Sequence, residues 1–351
     1  ATEQVYNRPL LIVPPWINKY YILDLSPKNS FLKWMVEQGY TVFVVSWVNP
    51  DTHLAEKTFA DYMSEGILEA VAAVKKAAGT RDMNAIGYCI GGTLLAATLA
   101  VMAERGDKSI KSTTFFTSQV DFSEAGDLKV FVDHAQVDNV EKLSAETGYL
   151  DSKYMFKTFN MLRANDLIWS FYVNNYLLGR DPMPFDLLFW NADATRMPRA
   201  CHLYYLREMY INNNLVKPGA LELDGTPVDL RKVDMPIYLQ ASREDHIAPY
   251  NSVFKAVEHF SGEIRFMLAG SGHTAGVINP PDKQKYQYWI NEDQPKDLQQ
   301  WLDGAVEHAG SWWPDWDRWL SKRSGKKVPA RTPGEGGLPA IEDAPGSYVL
   351  N

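Results

Sequence analysis

With 351 residues, 46% of them hydrophobic and 22% charged, the chain has the composition of a globular protein and length enough for one large domain carrying an insertion. Its formal net charge of −8 and pI near 5.5 exclude nucleic acid as a main partner, because phosphate binding calls for a basic face. Two cysteines, Cys89 and Cys201, exclude a disulfide framework and point to a reducing, cytoplasmic setting, and no apolar run reaches the length of a bilayer.

The sequence starts at Ala1 without Met and without a basic-then-apolar leader, a few residues before its first expected strand, so a further N-terminal region is expected outside it. Leu10-Leu11-Ile12-Val13 reads as a buried strand, and Pro14-Pro15-Trp16-Ile17-Asn18-Lys19-Tyr20-Tyr21 as the loop leaving it. Residues 30–38 read as a helix ended by Gly39, and 40–47 as a β-branched and aromatic strand. Phe59, Met63, Ile67, Leu68, Val71 and Val74 recur at helical spacing. Strands alternating with helices imply an α/β fold with a parallel sheet.

The next unit carries the chemistry. The apolar run 83–88 reads as a strand and 93–103 as a helix, which puts Cys89 on the turn between them. Gly87 and Gly91 flank it in a Gly-x-Cys-x-Gly spacing, the strand-to-helix nucleophile elbow with sulfur in place of the usual serine oxygen. Such a turn leaves no room for a side chain at either glycine and aims the first free N–H groups of the helix, Ile90 foremost, at whatever the sulfur attacks. A small buried thiol is the plain alternative, since free cysteine is among the most buried residue types. The loop after the first strand is the expected source of a second oxyanion donor, from Trp16 or Ile17, because the prolines before them have no N–H.

Residues 112–117 read as the next strand, and then the alternation fails. From 120 to 228 there is no simple strand–helix rhythm, and 13 of the 60 residues from Asp151 to Tyr210 are Phe, Tyr or Trp. That density predicts a cap over 120–228 with a large apolar inner face, and Pro184-Phe185-Asp186-Leu187-Leu188-Phe189-Trp190-Asn191 reads as cap core or as a partner surface. Order returns at 236–241, a buried strand ending in Ser242-Arg243-Glu244-Asp245-His246, and at 263–268, a strand ending in Ala269-Gly270-Ser271-Gly272-His273. Nucleophile, acid and base thus follow in the order used by α/β-hydrolases, with Glu244 an alternative to Asp245 and His246 an alternative to His273. Residues 298–309 read as a helix, 310–316 as an aromatic-rich turn opening a short helix, and 321–351, where 9 of 31 residues are Gly or Pro, as an extended or poorly ordered tail. The expected organisation is an α/β-hydrolase core over 1–119 and 229–320, the cap over 120–228 and the tail.

These stretches together resemble the catalytic domain of the polyhydroxyalkanoate synthases, most nearly the class I enzymes. The likeness runs over nearly the whole chain and includes Gly87-Tyr88-Cys89-Ile90-Gly91-Gly92, the Pro14 to Tyr21 loop, Phe185 to Asn191, Ser242 to His246, Gly272-His273 with Ala275-Gly276-Val277-Ile278-Asn279-Pro280-Pro281, and Gly310-Ser311-Trp312-Trp313-Pro314. The resemblance implies an α/β-hydrolase fold, Cys89 as nucleophile, His273 as its base, and Asp245 as the acid, either orienting His273 or activating the substrate hydroxyl. It implies polymerisation of short (R)-3-hydroxyacyl-CoA with release of CoA, at the surface of polyester granules, with no metal and no cofactor beyond the CoA thioester. Members of that family carry a further N-terminal domain. Exposed cap aromatics point to a homodimer through the cap. Two other readings stay open: a cysteine-dependent hydrolase of the dienelactone hydrolase or thioesterase kind, and a non-catalytic hydrolase-like binding protein.

Overall fold

The computed structural model describes residues 2–162, 172–179 and 186–350. Its central sheet has eight strands: β1 (Leu10–Val13), β2 (Val42–Val44), β3 (Met83–Tyr88), β4 (Ile110–Phe116), β5 (Ile237–Ser242), β6 (Ile264–Ala269), β7 (Gln287–Ile290) and β8 (Val306–Ala309), in the order β8-β7-β6-β5-β4-β3-β1-β2. From β2 to β6 every pairing is parallel, and β7 and β8 add an antiparallel edge. Parallel strands need helices on both faces, which is why β1, β3 and β5 are buried along their whole length and read as near-continuous apolar runs.

The two faces are sorted by the two-residue period of the strands. Leu11, Val13 and Ala85 point into a large cluster with Phe59, Met63, Leu94 and Leu99. Leu10, Ile12, Ile86 and Tyr88 point the other way, against Phe31, Met35 and the tryptophans Trp312, Trp313 and Trp316. That second face is an aromatic wall, with Phe31 and Trp313 centroids 4.6 Å apart and Phe31 and Trp316 5.1 Å apart.

The strand order also creates the place for a site. From β1 the chain goes outward to β2 and then returns to β3 on the other side of β1, so the loops leaving β1 and β3 diverge and open a crevice at the carboxyl edge of the sheet. The register keeps the strand ends level, with Tyr88 opposite Phe116 and Ser242 opposite Ala269.

Several expected boundaries move. The helix expected over 298–309 stops at Asp303: Asn291 Nδ2 donates to the Trp301 carbonyl at 3.0 Å, and a Cβ on Gly304 would lie 2.6 Å from that same nitrogen. Val306–Ala309 then turns into the fully exposed edge strand β8, paired with β7, a strand the sequence reading missed altogether. The strand expected over 40–47 is only Val42–Val44, and the elbow helix runs longer than expected, Ile90–Glu104.

Between β4 and β5, the described residues add no strand to the central sheet; they form short helices and two small ladders, Tyr149–Leu150 with Met197–Pro198 and Glu222–Leu223 with Thr226–Pro227. Buried residues of this segment, among them Val120, Phe122, Met209 and Val228, join the same apolar cluster as Leu94 and Leu99, whereas Trp190 joins the other. Pro184 and Phe185 of the expected aromatic stretch lie outside the described residues; Trp190 is buried, with its indole N–H on the Lys19 carbonyl at 2.8 Å, whereas Phe189 is 72% exposed. No described helix is long and apolar enough to cross a membrane.

The C-terminal tail has a short strand near its start, runs on in turns and bends to a helical turn at Ser347–Leu350, and is tied down at that strand. Lys327–Pro329 pairs antiparallel with Gln4–Tyr6, and the Arg331 guanidinium donates to the carbonyls of Tyr6, Asn7 and Ala78 and to Thr41 Oγ1 at 2.6–3.3 Å. Replacing it leaves three carbonyls short of a donor. Arg331→Ala is therefore expected to lower the unfolding free energy by about 1–3 kcal/mol; an unchanged urea midpoint would show that the short ladder holds without it.

Candidate active site

Cys89 follows β3 and caps the helix Ile90–Glu104 with φ 52° and ψ −128°. A non-glycine residue in that region costs on the order of 1–3 kcal/mol and persists only where its surroundings force it. Here they do. A Cβ on Gly87 would lie 2.4 Å from the Gly92 Cα, one on Gly91 2.5 Å from the carbonyl oxygens of Val13 and Pro14, and one on Gly92 2.0 Å from Ser118 Oγ. Strand, helix and the loop after β1 therefore meet at backbone contact, and the turn between them has no wider path. Gly87 and Gly91 are the glycines expected from the spacing; Gly92 adds a contact that spacing alone does not reveal. The Cys89 N–H continues the β3–β4 ladder onto the Phe116 carbonyl at 2.9 Å, so the Ile90 N–H is the first at the elbow without an intrahelical acceptor.

Asp245 and His273 come to the same edge from β5 and β6. The Asp245 side chain is fully buried: Oδ1 accepts from the Ile247 and Ala248 N–H groups at 2.9 Å each, and Oδ2 lies 2.7 Å from His273 Nδ1. Burial works to lower the imidazole pKa, but the Asp245 carboxylate and then the Cys89 sulfur outweigh it and raise it well above its ordinary value. Glu244, the alternative acid, is exposed, with its backbone N–H on the Ser271 carbonyl. The histidine on Asp245 Oδ2 is His273, and the carbonyl of His246 accepts the Asp127 N–H.

The His273 loop is itself braced by the aromatic wall. Trp312 and Trp313 donate their indole N–H groups to the carbonyls of Gly276 and Val277 at 2.8 and 2.9 Å, and Tyr88 lies 5.8 Å from the His273 ring in a stacked arrangement. The tryptophans of the aromatic-rich turn therefore also position a loop at the site.

Of the two residues expected to offer a second oxyanion donor, Ile17 lines the chamber next to Cys89 and Ile90, while the Trp16 indole packs away from it against Trp47 and Tyr62. The chamber has a volume of about 80 Å³ and mostly apolar walls, including Leu206, Ile247 and Ala248. Thr117, His202, Tyr205 and Tyr210 also face it, and no sequence signal singled them out. Cys201 is wholly buried away from this edge, and burial raises its thiol pKa.

The sheet order, the cysteine elbow at its switch point, and the acid and histidine on the two following strand ends define a protein of the α/β-hydrolase fold. Comparison with known sequences goes further. Residues 1–35 match the family described as "Poly-beta-hydroxybutyrate polymerase (PhaC) N-terminus". The whole chain is 55% identical to "Poly(3-hydroxyalkanoate) polymerase subunit PhaC" of Rhizobium etli, covering 55% of that protein. It is 55% identical to the protein of the same name from Rhizobium meliloti, over 99% of this chain and 57% of the other, and 54% identical to "Poly(3-hydroxyalkanoate) polymerase" of Methylorubrum extorquens, over 99% and 58%. Over nearly its whole length the chain is similar to these poly(3-hydroxyalkanoate) polymerases, and it spans somewhat over half the length of these relatives.

His202 supplies a test of how dry the chamber is. Burial pushes its pKa from 6.5 down to about 4, so the ring is neutral in the folded protein. A depressed folded pKa gives stability that is present above pH 6.5 and lost as pH falls through about 4, on the order of 3 kcal/mol in all. His202→Phe is expected to flatten the stability–pH curve between those values in urea melts; a slope identical to that of the parent protein would show that the ring is hydrated.

Proposed function

We propose that this chain is the acyltransferase part of a polyester synthase that takes 3-hydroxyacyl-CoA and releases CoA through a covalent Cys89 thioester. The observation that carries this reading is the pairing of His273 Nδ1 with the buried Asp245 carboxylate at 2.7 Å, at the same sheet edge as the strained Cys89 elbow and its largely apolar chamber. The names of the relatives supply the substrate class.

In the first step the Cys89 sulfur, its proton on His273, attacks the thioester carbonyl, and the oxyanion faces the Ile90 N–H with a second donor from Trp16 or Ile17. Collapse breaks the bond to CoA, whose sulfur takes the proton from His273. In the second step His273 removes the proton of an incoming 3-hydroxyl, whose oxygen attacks the Cys89 thioester; an oxoester forms and Cys89 leaves as the thiolate. A thioester keeps the transfer potential of the CoA substrate, and its conversion to an oxoester runs downhill. No further cofactor takes part in this scheme.

Asp245 has both oxygens engaged, Oδ1 by two backbone N–H groups and Oδ2 by His273, which favours an orienting role over direct activation of the substrate hydroxyl. Residues 120–228 act as the cap. Val130, Tyr176 and Phe189 are 72–81% exposed there, a surface suited to a second copy of the chain or to the polyester, at a granule surface.

Cys89→Ala is expected to remove CoA release from 3-hydroxybutyryl-CoA entirely, Cys89→Ser and His273→Gln to lower it at least about 10³-fold, and Cys201→Ser to change little. Asp245→Asn should lose acylation together with elongation. Mass spectrometry of the trapped protein decides between the roles: an Asp245→Asn variant that acylates normally but fails to elongate returns the carboxylate to hydroxyl activation. Free acid without polymer from the parent protein would identify a hydrolase, and an unlabelled Cys89 a binding protein. For the cap, hydrogen exchange over the described parts of 120–228 should slow when an unreactive substrate analogue binds; core-like protection unchanged by the analogue would rule a moving cap out.

A further inference from the structure

Two residues that line the Cys89 chamber each carry a buried polar atom that has no part in the chemistry above. Thr117 Oγ1 and His202 Nδ1 are both sealed from solvent, both residues line the chamber, and neither atom has a hydrogen-bond partner among the described residues. Buried polar groups in folded proteins are nearly always paired, so two exceptions in one cavity mark something the cavity is built to receive. The other described residues with such atoms, Trp16, Asn279, Tyr204, Trp301 and Arg323, do not line it.

Thr117 is also held in a costly conformation. It follows β4 with φ 41°, a genuine outlier for a β-branched residue, and its N–H is pinned by the Gln240 carbonyl at 2.9 Å and Gln240 Oε1 at 3.1 Å. The preceding residue, Phe116, accepts the Cys89 N–H, so the outlier sits one residue from the elbow ladder. His202 comes from a different element, the helix Arg199–Tyr205, and is 5% exposed. A neutral imidazole offers one donor and one acceptor, and a threonine hydroxyl offers both. The rest of the lining is mainly apolar, and at about 80 Å³ the space is roughly half that of the ~150 Å³ cavity known to take benzene. It suits a small acyl group with one hydroxyl.

We propose that Thr117 and His202 form a hydroxyl-recognition subsite, in which the two unpartnered atoms hydrogen-bond the 3-hydroxyl of a short 3-hydroxyacyl group whose carbonyl lies at Cys89. The assignment rests on the acyltransferase reading above. A hydroxyl both donates and accepts, which matches the pair. An acyl group without it leaves both atoms as they are in the empty chamber, and one with a long side chain exceeds the space.

The test compares acylation of the protein by 3-hydroxybutyryl-CoA and by butyryl-CoA, read as CoA release and as the mass of the Cys89 adduct. Thr117→Val and His202→Phe are each expected to lower the ratio of kcat/KM values, hydroxylated over plain, about tenfold or more, and Thr117→Ser to restore it. Thermal melts accompany each variant, and if Thr117→Val does not fold, His202→Phe and His202→Asn carry the comparison. A ratio unchanged in every folded variant, or an equal loss on both substrates, would overturn the subsite and leave the acyltransferase reading standing; the former outcome with a raised melting temperature would mean that the atoms serve only bound water. A parent protein that releases CoA from neither thioester would overturn the acyltransferase reading and the subsite with it.

Discussion

Everything at the carboxyl edge of this sheet depends on one close approach, the backbone of the elbow strand against the backbone of the elbow helix. A Cβ on Gly87 would lie 2.4 Å from the Gly92 Cα, and one on Gly91 2.5 Å from the Val13 and Pro14 carbonyls. With no side chains to hold them apart, strand, helix and neighbouring loop converge, and the chain passes between them only by placing Cys89 at positive φ. The sulfur and the first N–H of the helix are thereby presented to the same side.

The other half of the site is braced from the opposite face of the sheet. Tryptophans of the second apolar face, themselves buried against Phe31, hold the carbonyls of the loop that carries His273. Asp245 is set by its own turn, in which two backbone N–H groups bind one oxygen and leave the other for the imidazole. Elbow, turn and braced loop are separate pieces of local structure that meet because parallel strands in register end level. A residue acting through Trp312 or Trp313 can therefore affect the imidazole without approaching it.

Most of this was legible in the sequence because it is encoded locally. Continuous apolar runs mark buried parallel strands, glycines mark the elbow, and Asp245 and His273 stand directly after strands, where polar residues have to leave the sheet. What was not legible depends on distant partners. Val306–Ala309 continues the pattern of the helix before it, and only pairing with Gln287–Ile290 makes it a strand. Thr117 gives no sign of its positive φ, because a threonine at a strand end is ordinary and the strain comes from Gln240. His202 lies on a short helix whose burial is decided by the whole segment folding over the sheet. The residues 120–228 announced themselves by aromatic density, but composition cannot assign which rings face inward, as the contrast between Trp190 and Phe189 makes plain.

The two thiols are kept apart chemically as well as spatially. Cys201 is fully enclosed and its ionisation is suppressed by burial, while Cys89 keeps an opening to the chamber. A thiolate is the species that reacts with electrophiles, so of the two cysteines in these 351 residues Cys89 is the one open to thiol chemistry. A spectroscopic label or a photoreactive tether added to this chain without any engineering would sit at the elbow, and its signal would report the chamber without a background from Cys201.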